Sequence, residues 1–299
     1  MVFSFLLDLG RQGRDQETVF LVELGAGTGQ LCFHILQYYS RYLADGPDPI
    51  PPFCYVLTDL SQDTLDFWQT HPRLQKFFRA GILDVGLYDA EKDDSIYLTY
   101  QGLRLEKGTC KQPLMVLANY FFDVLPQELV YFESGNAYQV TVALEDSGDS
   151  EKELLHRLQA KYGYDLLDES RFDSRLQVLI DQYKNVLDQS HILIPELGLK
   201  CIDQLRQFST EGMLLLTGDK GIFNLRDLNG LEPPEFVVTG SLSLYLNFHA
   251  VGTFCQQVGG RSFLPNRQKF NLVVAGFLMV DNPILFPSFS KAFDLWASR

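Results

Sequence analysis

Residues 18–43, TVFLVELGAGTGQLCFHILQYYSRYL, restrict the possible folds more than any other stretch. Val19 to Leu24 is an apolar, β-prone run that reads as a buried strand of a parallel sheet. It stops at Gly25-Ala26-Gly27-Thr28-Gly29. Leu31, Ile35, Leu36, Tyr39 and Leu43 then recur at near-helical spacing. Strand, glycine turn and helix therefore follow one another. The glycines permit a tight turn and let a ligand lie on bare backbone, and the helix start presents free N–H groups. The spacing is G-x-G-x-G, with Glu23 two residues ahead of the first glycine. The last glycine of the G-x-G-x-x-G dinucleotide fingerprint would fall at position 30, which is Gln here, and this disfavours a nicotinamide-dependent dehydrogenase.

The rest of the chain supplies further strands in the order a doubly wound sheet needs. The apolar start, Met1 to Leu7, has no basic region before it and runs into Asp8 and Arg11. It reads as a short helix over residues 2–13 packed on the sheet, not as a signal peptide. A proline-rich loop over 45–52 precedes a second strand, Phe53 to Thr58, which ends at Asp59. An acid at that position is where doubly wound folds hydrogen-bond a ribose, with Leu60 beside it. Ser61 caps the next helix. A third strand is placed within Phe77 to Val85, and Ile96 to Leu105 reads as a hairpin beside the sheet. Leu114 to Ala118 is the fourth buried strand, ended by Asn119 at the carboxyl edge where open α/β sheets place ligands. Leu129 to Val142 is a second hairpin around Ser134-Gly135-Asn136.

Residues 144–190 form a helical insertion in this reading. An acidic loop over 145–151 leads to leucines at helical spacing, at 154, 155 and 158 and again from Leu176 to Leu187. The domain division is then 1–143 with 191–299 for the main domain and 144–190 for the cap. Met213 to Thr217 is the fifth strand, closed by Asp219. Phe236 to Leu244 and Phe270 to Met279 are the sixth and seventh. Asn247 caps a helix that Gly259-Gly260 stops. His249, near that helix start, reads as structural rather than as a base.

Asn119-Tyr120-Phe121-Phe122-Asp123-Val124-Leu125-Pro126 resembles the N-E-[apolar]-[apolar]-D-A-L-P motif of the MidA-like methyltransferases. That family includes the mitochondrial arginine methyltransferase that assists respiratory complex I assembly. Glu23 to Gly29 resembles motif I of class I S-adenosylmethionine (SAM) methyltransferases. Met213 to Gly221 resembles the family's late strand ending in D-Y-G, and Asn247 to Val251 its V-D-F-T-A-L segment. The resemblance covers most of residues 18–280. It implies a doubly wound, mostly parallel seven-stranded Rossmann-like sheet with extra hairpins.

It also implies a SAM site, with S-adenosylhomocysteine as product. Glu23 would meet the cofactor's charged amino acid end. Gly25, Ala26, Gly27, Thr28 and Gly29 would form its cradle, Asp59 and Leu60 would meet the ribose, and Leu83, Asp84 or Val85 the adenine, with Asn119 at the next strand edge. An arginine acceptor stays protonated and is best oriented by carboxylates. Asp123, with Asn119 bonding an acceptor nitrogen, is the placed catalytic candidate. Two residues depart from the family, Tyr120 for its Glu and Lys220 for its Tyr. Seventeen residues precede Thr18, where the family carries a longer segment, which implies a shortened relative or part of a longer chain.

These departures favour, as the second reading, a SAM-binding assembly or regulatory module with impaired catalysis. A third takes Asn119 to Phe122 as a distant N-P-P-[YF] loop, but both prolines are missing. The formal net charge of −13 opposes a nucleic acid partner and suits a basic protein substrate. The five cysteines are scattered without C-x-x-C spacing, so no metal site or disulfide framework is expected and a reducing cytoplasm fits. No apolar run approaches the length of a membrane span.

Overall fold

The computed structural model describes residues 1–14, 16–44, 50–146, 158–234, 244–268 and 271–298. Seven strands form the main sheet: β1 (Val19–Leu24), β2 (Phe53–Asp59), β3 (Leu83–Leu87), β6 (Leu114–Asn119), β11 (Met213–Asp219), β14 (Arg261–Phe263) and β15 (Val273–Met279). A hairpin of β4 (Ile96–Leu98) and β5 (Leu103–Leu105) stands apart from it. The sheet order is β14-β15-β11-β6-β1-β2-β3. β15 runs antiparallel to both of its neighbours, and the other pairings are parallel. Strand order reverses at β1: the chain winds out through β2 and β3 on one side and later returns to place β6 on the other. Such a reversal opens a crevice at the carboxyl ends of the strands.

Both faces of the sheet are covered, which is why the central strands are apolar on both sides rather than alternating. On one face Val19, Leu21, Tyr55 and Leu57 pack under α1 (Val2–Arg11), α2 (Gln30–Ala44), α3 (Gln62–Thr70), α4 (Gln75–Arg79) and α8 (Pro287–Ala297). Asp8 of α1 is buried there. It accepts the backbone N–H groups of Ser288 and Phe289 at 3.1 and 2.9 Å, capping α8 and tying the two ends of the chain together. On the other face Phe20, Val22, Val56 and Val116 pack under α5 (Ser174–Val186), α6 (Glu196–Arg206) and α7 (Phe248–Gln257). No helix among the described residues is long and apolar enough to cross a membrane.

The expected helical insertion mixes strand and helix among its described residues. β7 (Glu128–Glu133), β8 (Asn136–Asp146), β9 (Leu158–Leu166) and β10 (Ser190–Ile194) make a second sheet in the order β10-β7-β8-β9. β8 runs straight through residue 144, and α5 is the helix that remains of the expected pair. Tyr162, Tyr164 and Leu166 alternate along β9, and this period of two overrides the leucine spacing that suggested a helix. Leu154 and Leu155, and most of the acidic loop, lie outside the described residues. So does the greater part of the expected sixth strand, Phe236 to Leu244. Among the described residues the edge strand of the main sheet beside β15 is Arg261–Phe263. Two short strands, β12 (Gly221–Ile222) and β13 (Leu246–Asn247), link the end of β11 to the start of α7.

Candidate active site

The glycine turn leaves β1 in an unusual backbone. Gly25, Gly27 and Gly29 have φ of 58°, 54° and 71°, the left-handed region that side chains oppose. The turn is pinned on three sides. Ala26 donates its N–H to the Thr58 carbonyl at 3.1 Å, and Gly29 donates to the Ala26 carbonyl. The indole Nε1 of Trp68, a ring with no exposed surface, donates to the Gly27 carbonyl at 3.0 Å. A Cβ on Gly29 would come within 3.3 Å of the same indole nitrogen. One on Gly25 would come within 3.1 Å of the Phe121 ring, and one on Gly27 would meet nothing within 4 Å. Two glycines thus admit close neighbours, and the third faces open space. The Gly27 and Thr28 N–H groups make no hydrogen bond among the described residues.

Glu23 lies beneath the turn, 4% exposed. Its Oε2 accepts the Tyr55 hydroxyl at 2.7 Å. Burial pushes its pKa up to about 7, against the opposing effect of the Tyr55 hydrogen bond. Asp59 ends β2 and spends one oxygen, Oδ1, on the Ser61 N–H at 3.0 Å. Leu60 beside it is exposed. Tyr88 N–H donates to the Asp59 carbonyl at 3.1 Å, so the end of β3 at Leu87 stands next to Asp59.

Leu83 and Asp84, expected against adenine, stand away from the carboxyl edge of the sheet. Both are buried at the start of β3 rather than at its carboxyl end. The Asp84 carboxylate is filled by the N–H groups of Val85, Tyr100 and Gln101, at 2.8, 2.9 and 3.0 Å. It fastens the β4–β5 hairpin to the main sheet. The sequence placed β3 too early, because Phe77 and Phe78 belong to α4.

Across the crevice, Asn119 ends β6 with an exposed side chain. Tyr120 follows at φ 52°, a left-handed conformation for a residue that has a Cβ. Strain of this kind persists only where surrounding contacts enforce it. Here the Tyr120 N–H donates to the Gly218 carbonyl at 2.8 Å, and the Phe122 N–H donates to Asp219 Oδ2 at 3.2 Å. The kink turns the Phe121 ring onto Gly25. It also turns Asp123 inward.

Asp123 is therefore not an open acceptor-facing carboxylate. It is 3% exposed and faces Asp219, which is fully buried. Burial first, and the adjacent Asp123 charge second, push Asp219 up to about 8. One oxygen of each, Oδ1, lacks a hydrogen-bond partner. Two carboxyl groups this close and this buried cannot both ionise at neutral pH, so the pair retains a proton. His249 donates to or accepts from the Tyr183 hydroxyl through Nδ1 at 3.0 Å, and burial lowers its pKa.

Four residues of the site were not expected from the sequence as parts of it: Tyr55, Trp68, Phe121 and Asp219. Asp219 carried a detectable signal, since it ends a buried strand beside Asn119. Trp68 carried none, because its partner Gly27 lies 41 residues away.

Comparison with known proteins fits this geometry. A family model described as "Putative S-adenosyl-L-methionine-dependent methyltransferase" matches residues 4–218. Comparison with the curated proteins gives no match. Two crystal structures from Burkholderia thailandensis share the fold. One is an uncharacterized ACR, COG1565 superfamily protein, 13% identical with a TM-score of 0.55, covering 95% of this chain and 81% of its own. The other is a COG1565 superfamily member bound to S-adenosyl-homocysteine, 14% identical with a TM-score of 0.55, covering 93% of this chain and 75% of its own.

Proposed function

The chain belongs to this family of SAM-dependent methyltransferases, the MidA-like group, and we propose that it methylates a nitrogen of a basic protein side chain, with arginine the first candidate. The observation that carries the cofactor half is the turn itself. It has three left-handed glycines, an open space above Gly27 and two unengaged N–H groups beside it. Side chains would fill such a cradle. The division into a cofactor-binding part, 1–143 with 191–299, and an insertion, 144–190, is part of this proposal, although β8 and β10 cross its two bounds.

SAM, when bound, supplies a methyl group on a positively charged sulfur. The chain's own residues bind and orient. Gly27 and Thr28 offer N–H donors, and Glu23 offers a carboxylate beneath the turn for the cofactor's ammonium end. Asp59 keeps its second oxygen for a ribose hydroxyl, with Leu60 alongside. Leu87, at the true end of β3, replaces Leu83 and Asp84 as the residue nearest an adenine. Asn119 is the exposed polar group at the strand edge and is assigned to the acceptor. Asp123 acts through Asp219, holding the loop that carries Asn119. Alignment of acceptor and methyl is the main task of such an enzyme, and a fixed loop serves it. The acceptor assignment is supported by the charge of −13, which favours a cationic substrate.

Two measurements test this reading. Calorimetry with S-adenosylhomocysteine should give micromolar binding, and its absence would remove the cofactor half. Labelled SAM incubated with a cell lysate should label protein; label in nucleic acid, or none despite tight binding, would remove the acceptor half. The second result would favour a regulatory module, for which Tyr120 at the family's Glu position is the specific argument.

The Glu23 assignment makes a pH prediction. Its carboxyl takes up a proton near pH 7, and only the ionised form attracts an ammonium group. Affinity for S-adenosylhomocysteine should therefore fall by about tenfold per unit as pH drops below 7. Glu23→Gln should bind about tenfold more weakly at pH 8 and lose this dependence. A wild-type affinity that is flat from pH 6 to 8 would contradict the assignment.

A further inference from the structure

The second sheet ends in an edge that is complementary to itself. β9 (Leu158–Leu166) pairs with β8 on one side, and among the described residues no strand pairs with the other. An open strand of nine residues is a template for another chain. Its sequence, LQAKYGYDL, is balanced about Gly163. Antiparallel pairing of two copies centred there sets Lys161 of each against Asp165 of the other. Tyr162 and Tyr164 likewise face each other across the junction.

Strand alternation keeps these groups apart. The tyrosines and Leu166 lie on one face, and Lys161 and Asp165 on the other. Both charges are exposed. Asp165 is exposed and has no ion pair or hydrogen bond among the described residues. Lys161 is exposed and meets Glu145 within its own sheet at 2.6 Å. Part of the aromatic face is exposed at the same edge, with Leu166 73% and Tyr164 46% exposed, while the Tyr162 hydroxyl donates to the Pro234 carbonyl at 3.2 Å. That face is already ordered, since the Tyr164 hydroxyl bonds His191 Nε2 at 2.9 Å across the sheet. Pairing would therefore require little rearrangement of the aromatic side.

We propose that β9 pairs with β9 of a second copy of this chain, giving a two-fold symmetric dimer with one continuous eight-stranded sheet. Such an interface uses the same surface patch on both copies. Opposite charges directly across an antiparallel pair stabilise it, and like charges oppose it. Symmetry applies each effect twice. The proposal is independent of the methyl acceptor and of cofactor binding.

Sedimentation velocity on the full chain, up to about 100 µM, should show a monomer–dimer equilibrium. Lys161→Asp and Asp165→Lys each place like charges across the junction twice, and each should weaken the dimer at least about tenfold. Mixed one to one, the two variants restore both opposite-charge pairs and should form a heterodimer. A single chain carrying both substitutions should dimerise like the parent. Circular dichroism checks the fold of each variant, and the double variant covers a single one that fails to fold. A wild-type chain that is monomeric throughout would overturn the proposal. So would single variants that dimerise like the parent, or a mixture that stays monomeric.

Discussion

Trp68→Ala should cost about 3–5 kcal/mol of stability, the range for removing a buried aromatic ring, and should abolish S-adenosylhomocysteine binding. The ring has no exposed surface and stands against Gly29, so its removal leaves a cavity under the turn. It also removes the indole donor that holds the Gly27 carbonyl. A typical domain has only about 5–15 kcal/mol to lose. Trp68→Phe separates the two effects. It fills most of the cavity but cannot donate, and one lost hydrogen bond costs about 1 kcal/mol. Its urea midpoint should fall modestly while its cofactor affinity falls clearly. If Trp68→Phe binds S-adenosylhomocysteine like the parent, the indole hydrogen bond does not shape the turn.

Asp219→Asn should remove a pH dependence of stability without freeing the loop. In the folded chain one carboxyl of the Asp123–Asp219 pair holds its proton to about pH 8. In the unfolded chain it ionises near its ordinary value of 3.8. A folded pKa raised in this way contributes stability that is fully present below about pH 4. That stability is lost as pH rises toward 8, and the deficit is constant above it. The loss is on the order of a few kcal/mol. The asparagine amide needs no proton, and its oxygen can still accept the Phe122 N–H. Between pH 5 and 9 the melting temperature of Asp219→Asn should therefore decline less than that of the parent. Asp219→Ala leaves the Phe122 N–H unpaired and should lose methyl transfer. Equal declines for Asp219→Asn and the parent would show that the pair holds no extra proton.

Local rules made the main sheet and the cofactor edge legible in the sequence. The run Val19–Leu24, the three glycines and Asp59 each follow from neighbours a few residues away, and the structure keeps them where the pattern placed them. The third strand was misplaced because Phe77 and Phe78 are apolar in either a strand or a helix. Leu158, expected in a helix, opens β9 instead, and Tyr162, Tyr164 and Leu166 pair with β8 residues 20 to 28 positions earlier. Strand pairing at that separation leaves no local mark on the sequence.

What the sequence determined alone is the first crossover, from β1 through the glycine turn to α2, and the polar residues that end the strands. Each depends on backbone conformations that only certain residues adopt. What tertiary structure decided is where those polar residues face. Asp84 was drawn into the β4–β5 hairpin by three N–H groups. Asp123 was turned away from the crevice because Tyr120 takes a left-handed kink that Gly218 and Asp219 enforce from β11. A carboxylate's role depends on its distance to groups brought in from other strands, and those distances exist only once the sheet has closed.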